Sequence, residues 1–322
     1  MYHLGVDLGG TNIAVCIAND NGEIIARANA KTLNQRSYDE IMGDFLAVCD
    51  EVIRRAKITA ADVSTIGVGI PGTIDTKNLK VIYTNNIPSL SATDMGKTIR
   101  EHYPDMKINF GNDADVAAYG EVMCGAAKGA KNVVMITLGT GVGSGIIING
   151  KIYNGFNGGG GEIGHSVIFP DGEMCTCGRR GCWEQYASVT ALVRQTKEAM
   201  DKYPDSLMHK IVAENDGKIN GLTSFNAMRK GDPAGKEVVD KYVEYICIGV
   251  ANVISIFQPE YVLIGGGISK EGDALMIPIA EYVKTNTYGY EAPTEKTKII
   301  KAELGNDAGL IGAAMLFRQD EK

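Results

Sequence analysis

The 322-residue sequence is 44% hydrophobic and 22% charged, with a formal net charge of −7 at pH 7. That length suits two domains with substantial cores. The acidic balance argues against nucleic acid or an anionic membrane as a partner, because phosphate recognition needs a basic face.

No apolar run approaches the ~18 residues needed to span a bilayer. The opening MYHLGVDLGG lacks a basic segment followed by an apolar one, and the seven cysteines are an odd number. Together these lead to the expectation of a cytoplasmic protein without a secretory leader. Cys16, Cys49, Cys124 and Cys247 lie in apolar stretches and are expected to be buried free thiols.

In chain order, HLGVDL, IAVCIA and EIIARA are expected strands separated by GGTN and NDNG turns, the second an Asn-Gly hairpin signal. Ser37 and Glu40 form a capping box ahead of a helix. Its apolar face is Ile41, Phe45, Val48, Cys49, Val52 and Ile53. TIGVGIPG is a buried strand ending in a glycine loop, and MKINFGNDADVAAYGEVM is strand, polar turn and helix. NVVMITLGTGVGSGIIINGKI repeats the opening pattern, and aligning Leu8-Gly9 with Leu138-Gly139 points to an internal duplication. Residues 186–258 are mainly helical with polar interruptions at 203–223. YVLIGGGIS is another strand running into a glycine turn, and NDAGLIGAAMLF is a closing helix capped by Asn306 or Asp307. This mixture predicts an α/β protein with ligands at the strand ends.

Three glycine turns after strands carry the first chemical signal. In DLGGT, the glycines of Gly9-Gly10 can turn backbone N–H groups toward phosphate oxygens. Thr11 adds a donor, and Asp7 can hold magnesium or its water. A hairpin turn with a capping Asp is the alternative for this motif alone. LGTGVGSG, with Gly139, Thr140 and Gly141, and IGGGIS, with Gly265, Gly266 and Gly267, are two further loops of the kind. Three such turns favour nucleotide binding, although neither the P-loop nor the GxGxxG pattern is present.

In FGNDADVAAYGE, Asp113 follows a strand and opens a helix, so it can aim a carboxylate at a hydroxyl that attacks a phosphoryl group. An Asn112 or Asp113 N-cap is the structural alternative. Asp115, one residue into the helix, is expected to face solvent. His165, Cys175, Cys177 and Cys182 give H-x9-C-x-C-x4-C, a Cys₃His set suited to a structural tetrahedral zinc. Pinning that loop would fix Glu162 and Glu184 as hydrogen-bond acceptors for sugar hydroxyls, with a solvated helix start as the alternative for Glu184. Trp183 is expected to be core.

DLGGT, GIPG, GNDAD, LGTGVGSG, GEIGH, CTCGRRGCWEQYAS, IGGGIS and LGNDAGLIGAA occur in this order along nearly the whole chain. Together they resemble the ROK family of sugar kinases and repressors, and more narrowly its bacterial ATP-dependent glucokinases. The resemblance implies the actin-like ATPase fold, with two α/β domains around a cleft. The smaller domain would be 1–118, joined by a C-terminal helix at about 306–322; the larger would be 119–305 and carry the zinc loop.

By the same resemblance, Asp113 is the base for the sugar 6-hydroxyl, with Asn112 beside it and Gly72 approaching the sugar through its backbone. Glu162, His165 and Glu184 are hydroxyl ligands, and His165 also binds zinc. The Gly9–Asn12 and Gly139–Gly141 loops hold the phosphates of ATP, Gly265–Gly267 lie on the adenosine side, and magnesium comes with the nucleotide. A hexose substrate, an N-acylhexosamine as the runner-up, and a homodimer are expected. The family's repressors carry a DNA-binding domain ahead of the first motif, which here begins at residue 7.

Two departures stand out. NNIPSLSATD keeps Asn86 and Pro88 but has no Trp where many family glucokinases place one. Position 12 is Asn where relatives often have Lys.

Overall fold

The opening hairpins form as alternation and turn chemistry dictate. β1 (Tyr2–Leu8) pairs antiparallel with β2 (Asn12–Asn19), which pairs antiparallel with β3 (Ile24–Lys31). The computed structural model describes residues 1–292 and 294–320. After β3 comes α1 (Tyr38–Arg55), whose capping box at Ser37 and Glu40 is made in both directions. All six residues of its expected apolar face are buried.

β4 (Val63–Ile70), the short hairpin β5 (Thr73–Asp75) and β6 (Lys80–Tyr83), α2 (Met95–His102), β7 (Lys107–Asn112) and α3 (Asp113–Cys124) follow. The first sheet has the order β3-β2-β1-β4-β7, with β1, β4 and β7 parallel.

The second set of strands is β8 (Val133–Leu138), β9 (Val142–Ile148) and β10 (Lys151–Ile152). Next come the helices α4 (Glu184–Ala187), α5 (Val189–Lys202), α6 (Leu207–Glu214), α7 (Thr223–Arg229) and α8 (Pro233–Phe257). Then follow β11 (Tyr261–Gly265), α9 (Asp273–Asn286), β12 (Lys298–Lys301) and α10 (Ala308–Met315).

The second sheet has the order β10-β9-β8-β11-β12. Counted within each sheet, this is the same arrangement as the first, which supports the duplication read from the two Leu-Gly turns. Among the described residues no helix is long and apolar enough to cross a membrane.

The chain divides into two compact units. One comprises Met1–Val133, Gly145–Gly161 and Ala302–Lys322; the other comprises Val134–Ser144 and Glu162–Lys301. These boundaries differ from 118/119 and 305/306. Residues 119–133 group with the amino-terminal part because the rest of α3 packs on α10.

Four local expectations change. Residues 203–223 hold α6, a short helix capped by Ser206 that buries only Met208 and Ile211; so sparse an apolar face left little periodicity to detect. The closing helix ends at Met315, and Leu316–Asp320 tighten into a 3₁₀ turn; residues 321–322 lie outside the described residues. Asp307 stands at the N-cap of α10 but caps nothing, because both of its carboxylate oxygens take the Arg27 guanidinium. Finally, Cys124 is only partly buried, whereas Cys16, Cys49 and Cys247 are buried.

In the first unit, α10 lies against β1, β4 and α3 at separations that only glycine permits. A methyl group on Gly312 would overlap the Val116 carbonyl oxygen of α3, and one on Gly67 of β4 would overlap the carbonyl of Ala313. Gly312→Ala is therefore expected to destabilise the protein by about 1–3 kcal/mol. Chemical denaturation should show a lower midpoint with an unchanged slope.

Candidate active site and metal centre

In the first unit, the parallel register decides which residues meet. Asp7 stands opposite Gly69, Gly69 opposite Gly111, and Ile70 opposite Asn112. The carboxyl ends of β1, β4 and β7 therefore share one edge, the place where open α/β sheets bind ligands. α3 starts there.

Asn112 caps α3: its Oδ1 accepts from Ala114 N–H at 2.9 Å and from Asp115 N–H at 3.4 Å. Its Nδ2 donates to the Gly72 carbonyl at 3.1 Å, which ties the Gly72 turn to the head of α3. Gly72 has φ +111°, and a side chain there would overlap the Tyr83 carbonyl, so only glycine fits.

Asp113 Oδ1 accepts from Ala114 N–H at 2.9 Å. Burial raises the Asp113 carboxyl above its ordinary range. Burial first, and then the neighbouring Asp113 charge, push Asp7 up to about 6. The two acids are thus a pair of neighbours, which no sequence spacing revealed. Asp115, expected at the surface, is only 4% exposed. It lines a cavity of about 350 Å³ together with Asn109, Asn112, Asn154, Thr76 and Gln319.

The first glycine turn is closed by Gly9 N–H donating to the Asn12 carbonyl at 2.9 Å and by Thr32 Oγ1 donating to the Gly9 carbonyl at 2.6 Å. Gly10 packs on Asn86, whose own carbonyl accepts from Asn34 Nδ2 at 2.7 Å. Sequence reasoning missed Lys31. It stands opposite Asn12 in the β2–β3 ladder and donates from Nζ to Asn12 Oδ1 at 2.9 Å. Counting across the Asn-Gly hairpin would have found it, and it brings a cation to the turn whose position 12 has none.

In the second unit, Gly139 N–H donates to the Gly141 carbonyl at 3.0 Å. The turn is held from α5 by Val189 N–H on the Gly139 carbonyl at 2.8 Å and Thr190 Oγ1 on the Thr140 carbonyl at 2.7 Å. Gly266, at φ +85°, crosses so close to Leu138 that a side chain would overlap its carbonyl, so the Gly265–Gly267 turn lies beside the end of β8. Glu184 Oε2 accepts from Val142 N–H at 3.1 Å and fills the space beside Gly141, which ties the start of α4 to the same turn. Neither a solvated helix start nor a purely substrate-facing carboxylate describes it fully.

Glu162 is exposed and precedes a 3₁₀ turn that ends at His165. Ile163 N–H, within that turn, donates to Ser144 Oγ at 3.4 Å. Trp183 is core, as expected, and its Nε1 donates to the Tyr245 carbonyl at 2.7 Å.

The ligand atoms of His165, Cys175, Cys177 and Cys182 lie within 4.8 Å of one another. His165 Nδ1 is 3.6 Å from Cys175 Sγ, and Cys177 Sγ is 3.6 Å from Cys182 Sγ. A tetrahedron with zinc–sulfur bonds of about 2.3 Å has edges of about 3.8 Å, so the donor set fits zinc in both kind and spacing.

The backbone shapes this knuckle. Cys175 N–H donates to the Arg179 carbonyl at 2.8 Å, and Gly178 N–H donates to the Cys175 carbonyl at 3.0 Å. Gly178 and Gly181 take positive φ, and any side chain at Gly181 would overlap the Phe169 carbonyl. Arg179 Nη2 donates to the His165 carbonyl at 2.7 Å and so fixes the histidine's backbone.

Hydrogen bonds from Arg179, backbone first, lower the Cys177 thiol, whereas burial and the other two thiols raise Cys182. A cation among them is what would let all three become thiolates.

Two outcomes are expected. The purified protein should carry about one zinc ion per chain. Cys177→Ser should lose it and become protease-sensitive between residues 166 and 183, as metal analysis and limited proteolysis would show.

A third outcome concerns pH. Because the folded Asp7 carboxyl is raised, its protonated form adds stability below the unfolded value of 3.8, and that stability is lost as pH rises through about 6. Without divalent cation, Asp7→Asn should therefore match the wild type in melting temperature near pH 4. It should exceed it above pH 7, by up to roughly 3 kcal/mol in stability. A difference that stays flat with pH would contradict a raised Asp7 carboxyl.

With this geometry established, the chain can be set beside known proteins. Residues 3–320 match the model of the ROK family. A glucokinase of Thermotoga maritima is 34% identical, with 98% of this chain and 97% of the relative covered. A xylose repressor of Bacillus spizizenii is 30% identical over 98% of this chain and 76% of the repressor. Among solved structures, a ROK family glucokinase from Streptomyces griseus in complex with glucose and AMPPNP has a TM-score of 0.80 at 33% identity, covering 99% of this chain and 100% of that one. The mixed α/β architecture is the actin-like ATPase fold. The chain belongs to the ROK family.

Proposed function

We propose that this protein is an ATP-dependent hexose kinase that transfers the γ-phosphate of ATP to the 6-hydroxyl of glucose. The observation that carries the proposal is Asp113: a carboxylate at the head of a capped helix, on the ligand-binding edge of a parallel sheet, made more basic by burial. The similarity to glucokinases over the full length supports the same reading.

In this reading Asp113 accepts the proton of the attacking hydroxyl. A raised carboxyl suits that task, because a base works best with a pKa nearer the operating pH. The phosphoryl transition state is loose, so positioning and late proton removal dominate. Asn112 and Gly72, joined by their hydrogen bond, hold the sugar beside the base, and Asn86, which packs on Gly10 in the same unit, is a further sugar ligand of this reading. Glu162 and Glu184 accept from other sugar hydroxyls. Zinc on His165 Nδ1 would leave Nε2–H to donate to one more.

Gly9, Gly10, Thr11 and Asn12, together with Gly139, Thr140 and Gly141, offer backbone and hydroxyl donors to the phosphates, and Gly265, Gly266 and Gly267 border the adenosine. Asp7 fits magnesium: a carboxyl pushed up to about 6 by burial and a like charge is relieved by a cation. The zinc is structural, since protein donors fill all four positions. A cytoplasmic homodimer completes the proposal, and light scattering on the purified protein tests the dimer.

The deciding experiment is ADP release from MgATP with glucose, mannose, fructose, N-acetylglucosamine and N-acetylmannosamine. Glucose is expected to give the highest kcat/KM. An N-acetyl sugar in first place would replace the substrate, and inactivity with every sugar would refute the kinase. Asp113→Asn should lower kcat by ~10² or more while nucleotide binding is retained. Full activity in that variant would place the base elsewhere.

A further inference from the structure

The loop between β10 and Glu162, YNGFNGGGG, has a build that neither the nucleotide turns nor the zinc knuckle explains. Tyr153 N–H donates to the Ile146 carbonyl at 2.8 Å, and Gly160 N–H donates to the Asn154 carbonyl at 2.9 Å, so residues 155–159 form a closed tip. The neck is so tight that a side chain on Gly160 would lie 2.7 Å from the Gly155 nitrogen. Gly155 and Gly158 have φ of +72° and +77°, conformations that favour glycine.

At this tip sits Phe156, fully exposed. A phenylalanine brings roughly 150–250 Å² of mostly apolar surface, and leaving it bare contributes nothing to folding. The glycines and hydrogen bonds of the tip nevertheless hold it in place.

The tip also has an address within the first unit. Gly158 rests on the Ile74 carbonyl of β5, 2.7 Å from where its side chain would begin. β5 starts one residue after Gly72, whose carbonyl receives Asn112 Nδ2. Asn154, at the neck, lines the same cavity as Asn112. The Gly158–Ile74 contact and the cavity shared by Asn154 and Asn112 place the loop beside the Gly72–Asn112 pair. Of the other exposed aromatics of this region, Tyr83 is engaged through its hydroxyl with Asn85, and Tyr153 sits at the neck, about half as exposed as Phe156 at the tip.

We propose that Phe156 is a specificity-determining residue for the sugar, its ring packing on the apolar C–H face of the hexose. This rests on the kinase reading above. A sugar ring presents hydroxyls at its edge and C–H bonds on its face. Carboxylates and amides serve the edge, and an aromatic side chain is suited to the face.

The test starts with the wild type on the hexose panel. Inactivity on every sugar refutes the kinase reading, and this proposal with it, before any variant is made. With an active wild type, Phe156→Ala should raise the sugar KM roughly tenfold. It should keep kcat at saturating sugar within about twofold and leave the KM for MgATP and the melting temperature unchanged. Phe156→Trp should restore the sugar KM. Trp183, the only tryptophan, is fully buried, so emission from the new, exposed indole should shift to the blue when sugar is added without nucleotide. An unchanged sugar KM in Phe156→Ala overturns the proposal, as does tryptophan emission that saturating sugar does not move. A loss of melting temperature with no KM effect would assign Phe156 a purely structural part instead.

Discussion

The crossing of α10 on α3, at a distance that glycine alone allows, is the constraint on which the candidate catalytic edge depends. Gly120 and Gly312 bring the two helix backbones together, while Gly5 and Gly67 let α10 lie flat on β1 and β4. Close packing of this kind transmits position, since a displacement of a few tenths of an ångström has no void to absorb it. α3 is held at both ends as well. Asn112 caps its start, and Glu121, wholly buried, accepts Leu304 N–H at 2.7 Å and Ala126 N–H at 2.9 Å. Asp113 is thereby placed by α10 as much as by its own strand. Gly309 of α10 also leaves room for the Asp7 carboxylate. Two neighbouring acids, both raised chiefly by partial burial, carry an electrostatic cost. Stability given up at one spot for a cation to recover is a common signature of a site built for a ligand.

The Cys₃His knuckle poses a different problem. Residues 166–182 are largely exposed, Val167, Phe169 and Met174 included, and have no regular structure beyond short bridges at Val167–Cys182 and Met174–Arg180. So small a loop buries too little to order itself. Four donors gathered around one ion would supply the missing free energy, and the ordered loop would then hold His165 and the start of α4 in place. Glu184 ties α4 to the Gly139–Gly141 turn, so the Cys₃His knuckle and that turn are mechanically one piece of the second unit.

The two sheets repeat one order, with a Leu-Gly turn between the first two strands of each, yet the turns are secured differently. Thr32, from the neighbouring strand, holds the first. The second is held from α5 through Val189 and Thr190. A duplicated scaffold thus keeps its glycines, whose backbone freedom the turn requires, while the supporting contacts diverge.

What the sequence by itself determined was local. The hairpins, the capping box at Ser37 and Glu40, the apolar face of α1 and the Cys₃His spacing depend on residues within a few turns of one another, and all were legible. Asn112 was legible as a cap, and Trp183 as core. What only the tertiary structure decided involves residues far apart in the chain. Asp7 meets Asp113 because β1, β4 and β7 align in parallel register. Asp115 turns inward because it lies against the Asn109–Gln319 cavity. Asp307 gives up its cap because Arg27, on β3, reaches it first. Glu184 finds Val142, and Gly158 finds Ile74. Periodicity records which side of an element is apolar; it does not record which distant element will lie against that side. These pairings had to wait for the fold, because each is set by strand register and helix packing rather than by the chemistry of its own neighbourhood.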